Sequence, residues 1–240
     1  MKPAGRQPVP RHIAVIMDGN GRWARKRGFS RTRGHLAGME TLEKTVKWCI
    51  PRGIKYLTVY AFSTENWARP RTEVRYLMGL IFKYLDSKVD GFLKAGVRMT
   101  VHGSLETVDR AVRKKLEEAV KKTAKNDKFT LNFAFNYGGR DEIVRAIRKL
   151  ARSGRYSLMK RITENEFGGW LDRPEIPDPD LVIRTSGELR LSNFLLWQST
   201  YSELYFTRVL WPDFSEKELD KAIAEYSRRG RRYGGLGAGG

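Results

Sequence analysis

A single α/β domain with a central, mostly parallel six-stranded sheet covered by helices is the fold this sequence predicts, on three observations. Short runs rich in branched and aromatic residues recur along the chain, helix-period segments lie between most of them, and 240 residues suffice for one substantial core. The runs fall at 13–17, 55–62, 97–101, 129–135, 181–184 and 203–210. Strands joined through helices run in one direction, because each connection must cross the sheet and return to the same end.

The first run, Ile13 to Met17, is apolar at successive positions, as a strand buried on both faces requires, and passes into Asp18-Gly-Asn-Gly-Arg22-Trp-Ala24. The second ends before Ser63, Glu65, Asn66 and Arg69. Across 73–93, Val74, Leu77, Met78, Ile81, Leu85, Val89 and Phe92 keep the three-and-four spacing of one helix face; Val108, Val112, Leu116 and Val120 repeat it after the third run. The fourth run leads into Asn136 to Arg140 and the fifth into Arg184 to Arg190. After the sixth, Ser215-Glu-Lys-Glu reads as a capping box opening a closing helix that reaches about Arg229. This assigns 1–11 to a flexible basic tail, 12–229 to the domain and 230–240 to a glycine-rich tail, with no linker dividing the domain.

Composition restricts the partners. Forty-six Lys and Arg against 27 Asp and Glu leave a formal charge of +19, which favours anions: nucleic acid, an acidic membrane surface or a phosphorylated small molecule. The basic excess, with 10 Tyr and 6 Trp, keeps a nucleic-acid-binding protein as the rival from another class. Cys49 is the single cysteine, so no intrachain disulfide forms and no oxidising compartment is indicated; the expected location is cytoplasmic. Apolar stretches such as Ile13 to Met17 fall far short of the roughly 20 residues needed to cross a bilayer, so any membrane contact is peripheral.

Distinctive polar residues follow the C-terminal ends of the strands, the edge at which open parallel sheets bind ligands. Asp18 to Ala24 has glycines that let backbone N–H groups approach a phosphate, with one carboxylate beside them; the plain alternative is a glycine turn capped by Asp. Gly19-x-Gly21-x-x-Ala24 also fits the loose dinucleotide pattern, but that pattern needs an acidic residue closing the next strand, and none stands at Phe62. Arg22, Arg25, Lys26, Arg27, Arg31 and Arg33, followed by His35, form either a solvated charge run or a set of guanidinium groups for a diphosphate. Arg184, Arg190 and Ser192 surround a glycine turn suited to a second anion, and two anion sites at one edge indicate transfer between two substrates. Asp178-Pro-Asp180 reads as a turn before the fifth strand, and His12 and His102 as isolated core histidines.

Five segments, HIAVIMDGNGRWA, Gly34-His35, YAFSTENWARP, NFAFNYGGRDEI and the long DLVIRTSGELRLSNFLLWQSTYSELYFTRVLWPDF, together resemble the cis-prenyltransferases of undecaprenyl diphosphate synthase type. The likeness covers almost all of residues 10–234. It implies a Mg²⁺-dependent, homodimeric enzyme that condenses isopentenyl diphosphate with an allylic diphosphate, holds the product in a hydrophobic tunnel and touches membranes only through it, without nucleic acid. By that resemblance Asp18 carries Mg²⁺, with Glu203 as a second ligand, and Gly19, Asn20, Gly21, Arg22, Trp23, Arg31, His35 and Arg69 bind the allylic diphosphate. Ser63, Asn66 and Trp67 lie near the reacting carbons; Arg184, Arg190 and Ser192 grip isopentenyl diphosphate; and Arg232-Tyr233-Gly234 reaches the partner's site. Leu189 departs from the family, which often places His there, and so offers no metal contact. A non-catalytic partner subunit of the same fold is the third reading, against which Asp18 and the 184–192 segment both stand. Product length is expected to depend on Ala61, Tyr76, Leu77, Leu80 and Ile81, with Tyr76 as a tunnel floor by helix phase.

Overall fold

A computed structural model describes residues 8–155 and 161–229, so the expected C-terminal tail, the 232–234 segment and most of the N-terminal tail lie outside the described residues. Strands β1 (His12–Ile16), β2 (Tyr56–Ser63), β3 (Val97–His102), β4 (Phe129–Tyr137), β5 (Leu181–Arg184) and β6 (Glu203–Phe206) form a 6-stranded sheet in the order β3-β4-β2-β1-β5-β6. All neighbouring pairs are parallel, so every strand ends at the same edge. Helices α1 (Asn20–Lys26), α2 (Arg31–Cys49), α3 (Arg71–Lys94), α4 (Arg110–Thr123), α5 (Gly139–Arg152) and α6 (Glu164–Gly168) lie in the connections between β1 and β5, and α7 (Glu216–Arg228) follows β6.

The period-2 alternation of the strands divides the interior. Ile13, Val15, Leu57 and Val59 point into the large core with Leu42 and Val46 of α2, Leu77 and Ile81 of α3, Leu116 of α4 and Leu219 of α7. Ala14 and Ile16 point the other way, onto Tyr137, Phe194 and Leu195. Helix α3 forms as its spacing requires, and Ser215 caps α7 by accepting from Glu218 N. Helix α2 carries little amphipathic signal because its buried face is built partly of Gly34, Gly38, Thr41 and Thr45 rather than large apolar residues. Strand β6 stops at Phe206, short of the expected 210. Tyr76 does not floor a tunnel: its hydroxyl donates to Thr32 O at 3.1 Å, tying α3 to the start of α2.

On the second face, buried polar groups form a continuous chain. His12 lies 2.6 Å from Pro177 O and 2.8 Å from Thr58 Oγ1, and Asn132 donates to Thr58 Oγ1 and to the ring nitrogen Nδ1 of His102. His102 Nε2 reaches Glu142 Oε1 at 2.8 Å, and Tyr137 and Gln198 donate to the same carboxylate. Asp180 serves as the expected turn carboxylate, accepting from the backbone N–H groups of Arg11 and His12. Burial lowers the pKa of His12 to about 4. Because the folded value lies below the ordinary 6.5, His12 contributes stability above pH 6.5 that is lost as pH falls toward 4. A denaturation midpoint that falls across that window is expected, with up to about 3 kcal/mol from this group; His12→Gln should flatten part of the slope, and an unchanged slope would remove His12 as its source.

Candidate active site

The ends of β1, β2 and β5 bring three polar segments together. Gly19 adopts φ 109 before α1, and a Cβ there would lie 2.9 Å from Leu210 Cδ2 and 3.1 Å from Ser186 Cβ, so a side chain would separate the first and fifth strand ends. Asp18 is held by its backbone: its carbonyl accepts from Thr185 Oγ1 at 2.6 Å and Trp211 N at 3.0 Å. Its carboxylate sits between two guanidinium groups, with Arg184 Nη2 donating to Oδ2 at 3.0 Å and Arg22 Nη2 3.2 Å from Oδ1. Burial alone would push this carboxyl up, but hydrogen bonds from Arg184 and Ser186 and the charge of Arg22 outweigh it and hold the pKa below the ordinary range. Asp18 is therefore ionised at neutral pH.

Arg184 is 4% exposed, and its Nη1 donates to Arg190 O and to Ser192 Oγ. Its Nε is buried without a hydrogen-bond partner, as are His35 Nε2 and Asn20 Oδ1. Such groups are costly to leave unsatisfied, and all three surround the same polar edge. Farther along that edge, Arg31 and Arg69 both donate to Glu73, each at 3.0 Å. Burial first, and the neighbouring Arg69 charge next, lower the His35 pKa to about 4, so this imidazole is neutral at pH 7.

A cleft of about 530 Å³ is lined by Asp18, Ser63, Glu65, Asn66, Arg69, Arg184 and Ser192. It shares Met17, Tyr60, Asn66 and Arg69 with an apolar cavity of about 120 Å³ between the sheet and helices α2 and α3, walled by Leu42, Ala61, Leu80, Ile81 and Phe133. Gly19, Asn20, Gly21, Arg22, Arg31 and His35 line an adjoining hollow that also contains Asp18 and Arg69. The backbone is left-handed at Ser186, Ser192, Asn193 and Leu195, a concentration of unfavourable conformations that shapes the 184–195 loop over the cleft. Asn66 Oδ1 accepts from Ser63 N at 3.1 Å, which turns the amide N–H groups of Asn66 outward as donors.

Several expected residues are placed elsewhere. Trp23 donates to Asp213 at 2.7 Å and is covered by Arg27, so it anchors α1 rather than facing the cleft. Trp67 donates to Asn136 at 2.7 Å and packs edge-on against Phe62. Arg190 is exposed and pairs with Glu188. Glu203 does not join Asp18: it opens β6 level with Leu181, whereas Phe206 is level with Arg184, and its carboxylate pairs with Arg229 at 2.9 Å. The parallel register thus puts Glu203 at the strand-start end and Asp18 just beyond the strand finish. Leu189 is 76% exposed.

Glu73, Glu188 and Asn193 were given no role by the motifs, and Glu65 stood among the polar residues after the second strand likewise without one. The four-residue spacing of Arg69 and Glu73, one just before α3 and the other in its first turn, was the readable signal for the first. Gly34 and Gly38 were also missed as packing residues: a Cβ at Gly34 would lie 2.1 Å from Asn20 O, and one at Gly38 would lie 2.4 Å from Asn20 Oδ1. Gly34→Ala is therefore expected to destabilise the protein by about 1–3 kcal/mol through overpacking and to lower activity by shifting Asn20; a variant with unchanged melting and turnover would contradict this close approach.

Asp18 fits a hard divalent cation, being an ionised carboxylate reachable from a cleft whose remaining oxygens a diphosphate would supply. Another group of ligand-type atoms, His102, Glu142 and Asp172, lies within 4.8 Å of one another. It does not fit a metal as it stands, because Glu142 already accepts from His102, Tyr137, Gln198 and Asp172 N, while Asp172 is held by Arg145 and Lys149.

The prenyltransferase family described as undecaprenyl diphosphate synthase matches residues 16–234. This chain belongs to that family. An isoprenyl transferase of Fusobacterium nucleatum is 53% identical over 228 residues, covering 95% of this chain and 97% of the relative. One from Thermotoga maritima is 50% identical, covering 95% and 98%. Among solved structures, lavandulyl diphosphate synthase from Lavandula x intermedia, in complex with dimethylallyl diphosphate, superposes with a TM-score of 0.90 at 33% identity, over 95% of this chain and 99% of that one. This family member has a six-stranded α/β fold with its polar groups gathered at one sheet edge.

Proposed function

We propose that this prenyltransferase is a Mg²⁺-dependent cis-prenyltransferase, which condenses isopentenyl diphosphate with an allylic isoprenoid diphosphate such as farnesyl diphosphate and releases diphosphate. The observation that carries this reading is Asp18 held between Arg22 and Arg184 beside an apolar cavity. Two anion-binding sets meeting at one carboxylate suit two diphosphate esters, and the cavity suits a hydrocarbon. The allylic C–O bond breaks, the double bond of isopentenyl diphosphate forms the new C–C bond, and a proton leaves to give the cis double bond.

Arg22, Arg31 and Arg69 bind the allylic diphosphate and stabilise charge as it develops on the leaving group. Arg184 and Ser192, with Arg190 approaching from solvent, orient isopentenyl diphosphate. Asn66, with Ser63 fixing its amide, donates to phosphate oxygens between the two. Asp18 would hold Mg²⁺, which supplies Lewis-acid neutralisation of diphosphate charge. His35, neutral and adjacent to Arg69, accepts or donates a hydrogen bond without adding charge.

A homodimer is part of the same reading, supported by the exposed apolar side chains Val144, Ile147 and Leu189 and by exposed Tyr201; sedimentation analysis tests it. Among the described residues no helix is long and apolar enough to cross a membrane. A cytoplasmic enzyme meeting the membrane through its product fits that finding. The deciding experiment incubates purified protein with labelled isopentenyl diphosphate and geranyl, farnesyl or geranylgeranyl diphosphate, with Mg²⁺ or EDTA, and sizes the products. Longer polyprenyl diphosphates in the Mg²⁺ arm alone are expected; no elongation with any primer would overturn the reading.

A further inference from the structure

We propose that Glu188 is a built-in stand-in for diphosphate, a carboxylate that occupies the arginines of the anion sites until a diphosphate displaces it. The inference rests on the reading of those sites as diphosphate sites. Glu188 Oε1 accepts from Arg22 Nη1 at 3.0 Å, and Glu188 Oε2 accepts from Arg190 Nη1. One carboxylate therefore joins the segment after β1 to the loop after β5. The left-handed backbone of Ser186 and Gly187, each at φ 79, turns the chain so that Glu188 comes back over Arg22.

The hydrogen-bond inventory of Arg22 makes displacement necessary. Each terminal guanidinium nitrogen carries two N–H groups. Nη1 is engaged by Ser186 O and Glu188 Oε1, and Nη2 by Ser186 Oγ and Asp18 Oδ1. A phosphate oxygen gains a terminal N–H of Arg22 only by removing one of these acceptors. Ser186 O belongs to the backbone, Ser186 Oγ lies on a buried residue, and Asp18 is also held by Arg184. Glu188 is on a flexible side chain, and among the described residues its side-chain hydrogen bonds run to Arg22 and Arg190. It is ionised at neutral pH, since the hydrogen bond and charge of Arg190, followed by Arg22, hold its pKa below the ordinary carboxylate range.

Two consequences follow from a tethered anion. It offsets the mutual repulsion of Arg22 and Arg190 before substrate arrives, and after displacement its charge remains beside the bound diphosphate and favours release. A residue that only braced the loop would loosen diphosphate binding when removed. A stand-in does the opposite.

The test is calorimetric titration of inorganic pyrophosphate into the full chain in EDTA at about 50 mM salt, for wild type, Glu188→Gln and Glu188→Ala, with thermal melts confirming folding. Both variants are expected to bind pyrophosphate about fivefold more tightly than wild type, with the gap narrowing as salt is raised to about 0.5 M. Equal or weaker binding by folded variants overturns the role of Glu188 while leaving the diphosphate reading intact. If neither wild type nor variant binds pyrophosphate, in EDTA or Mg²⁺, the diphosphate reading fails and this inference fails with it.

Discussion

Asp18→Ala is expected to lower kcat by at least ~10²-fold in a protein that remains folded, the scale seen when a central electrostatic stabiliser is removed. The expectation comes from the position of the carboxylate rather than from its type. Asp18 neutralises a 4%-exposed Arg184 on one side and orients Arg22 on the other, and its backbone is fixed by Thr185 and Trp211. The backbone anchors survive the substitution, so the site keeps its shape while losing its anion and its proposed metal ligand. Asp18→Asn separates the two losses, since the amide oxygen still accepts from Arg184 without charge. Steady-state kinetics with circular dichroism make the check; turnover within tenfold of wild type for Asp18→Ala would take this residue out of the chemistry.

Arg184→Ala is expected to raise the KM for isopentenyl diphosphate by about 10²-fold, because truncating one partner of a buried, hydrogen-bonded charge pair costs roughly 2–5 kcal/mol. Arg184 organises its surroundings: it donates to Asp18, Arg190 O and Ser192 Oγ at once. Its loss removes a phosphate-binding charge and releases the loop that presents Ser192. Arg184→Lys keeps the charge but replaces a planar fork by a point donor, so an intermediate KM is expected. Initial rates with each substrate varied in turn provide the measurement. A rise in the allylic KM alone would reverse the assignment of the two diphosphates.

Much of the fold was legible because it rests on periodicity. The apolar spacing of 73–93 and the strand runs at 13–17 and 181–184 each report a single environment, and the corresponding elements formed. Helix α2 was hidden for the opposite reason: its buried face uses glycine and threonine, so close approach replaces hydrophobicity. The site was legible where a motif sits on the sheet edge, as at Asp18, Asn66, Arg69 and Arg184. Trp23 and Glu203 show the limit. Neighbours in a motif need not point the same way along a helix, and a strand's start and finish lie at opposite ends of the sheet. Glu73 and Glu188 depend on arginine partners that only folding reveals, apart from the local Arg69 spacing.

The two sides of the apolar cavity differ in how they can yield. One side is sheet, where Ala61 and Phe133 belong to strands locked in a parallel ladder backed by the buried chain from His12 to Glu142. The other is the seam of α2 and α3, which share the large apolar core and are tied at the surface by contacts such as Tyr76 to Thr32 and Lys88 to Glu43. An apolar hole of about 150 Å³ accommodates benzene, and the cavity here measures about 120 Å³. Under the proposed function a lengthening polyprenyl tail would need more room than this cavity offers, and the helical seam, which lacks the ladder's backbone hydrogen bonds, is the side expected to yield. Resistance of that seam to spreading would then oppose chain growth, and ties such as Tyr76 to Thr32, which lie away from the cavity lining, would tune it.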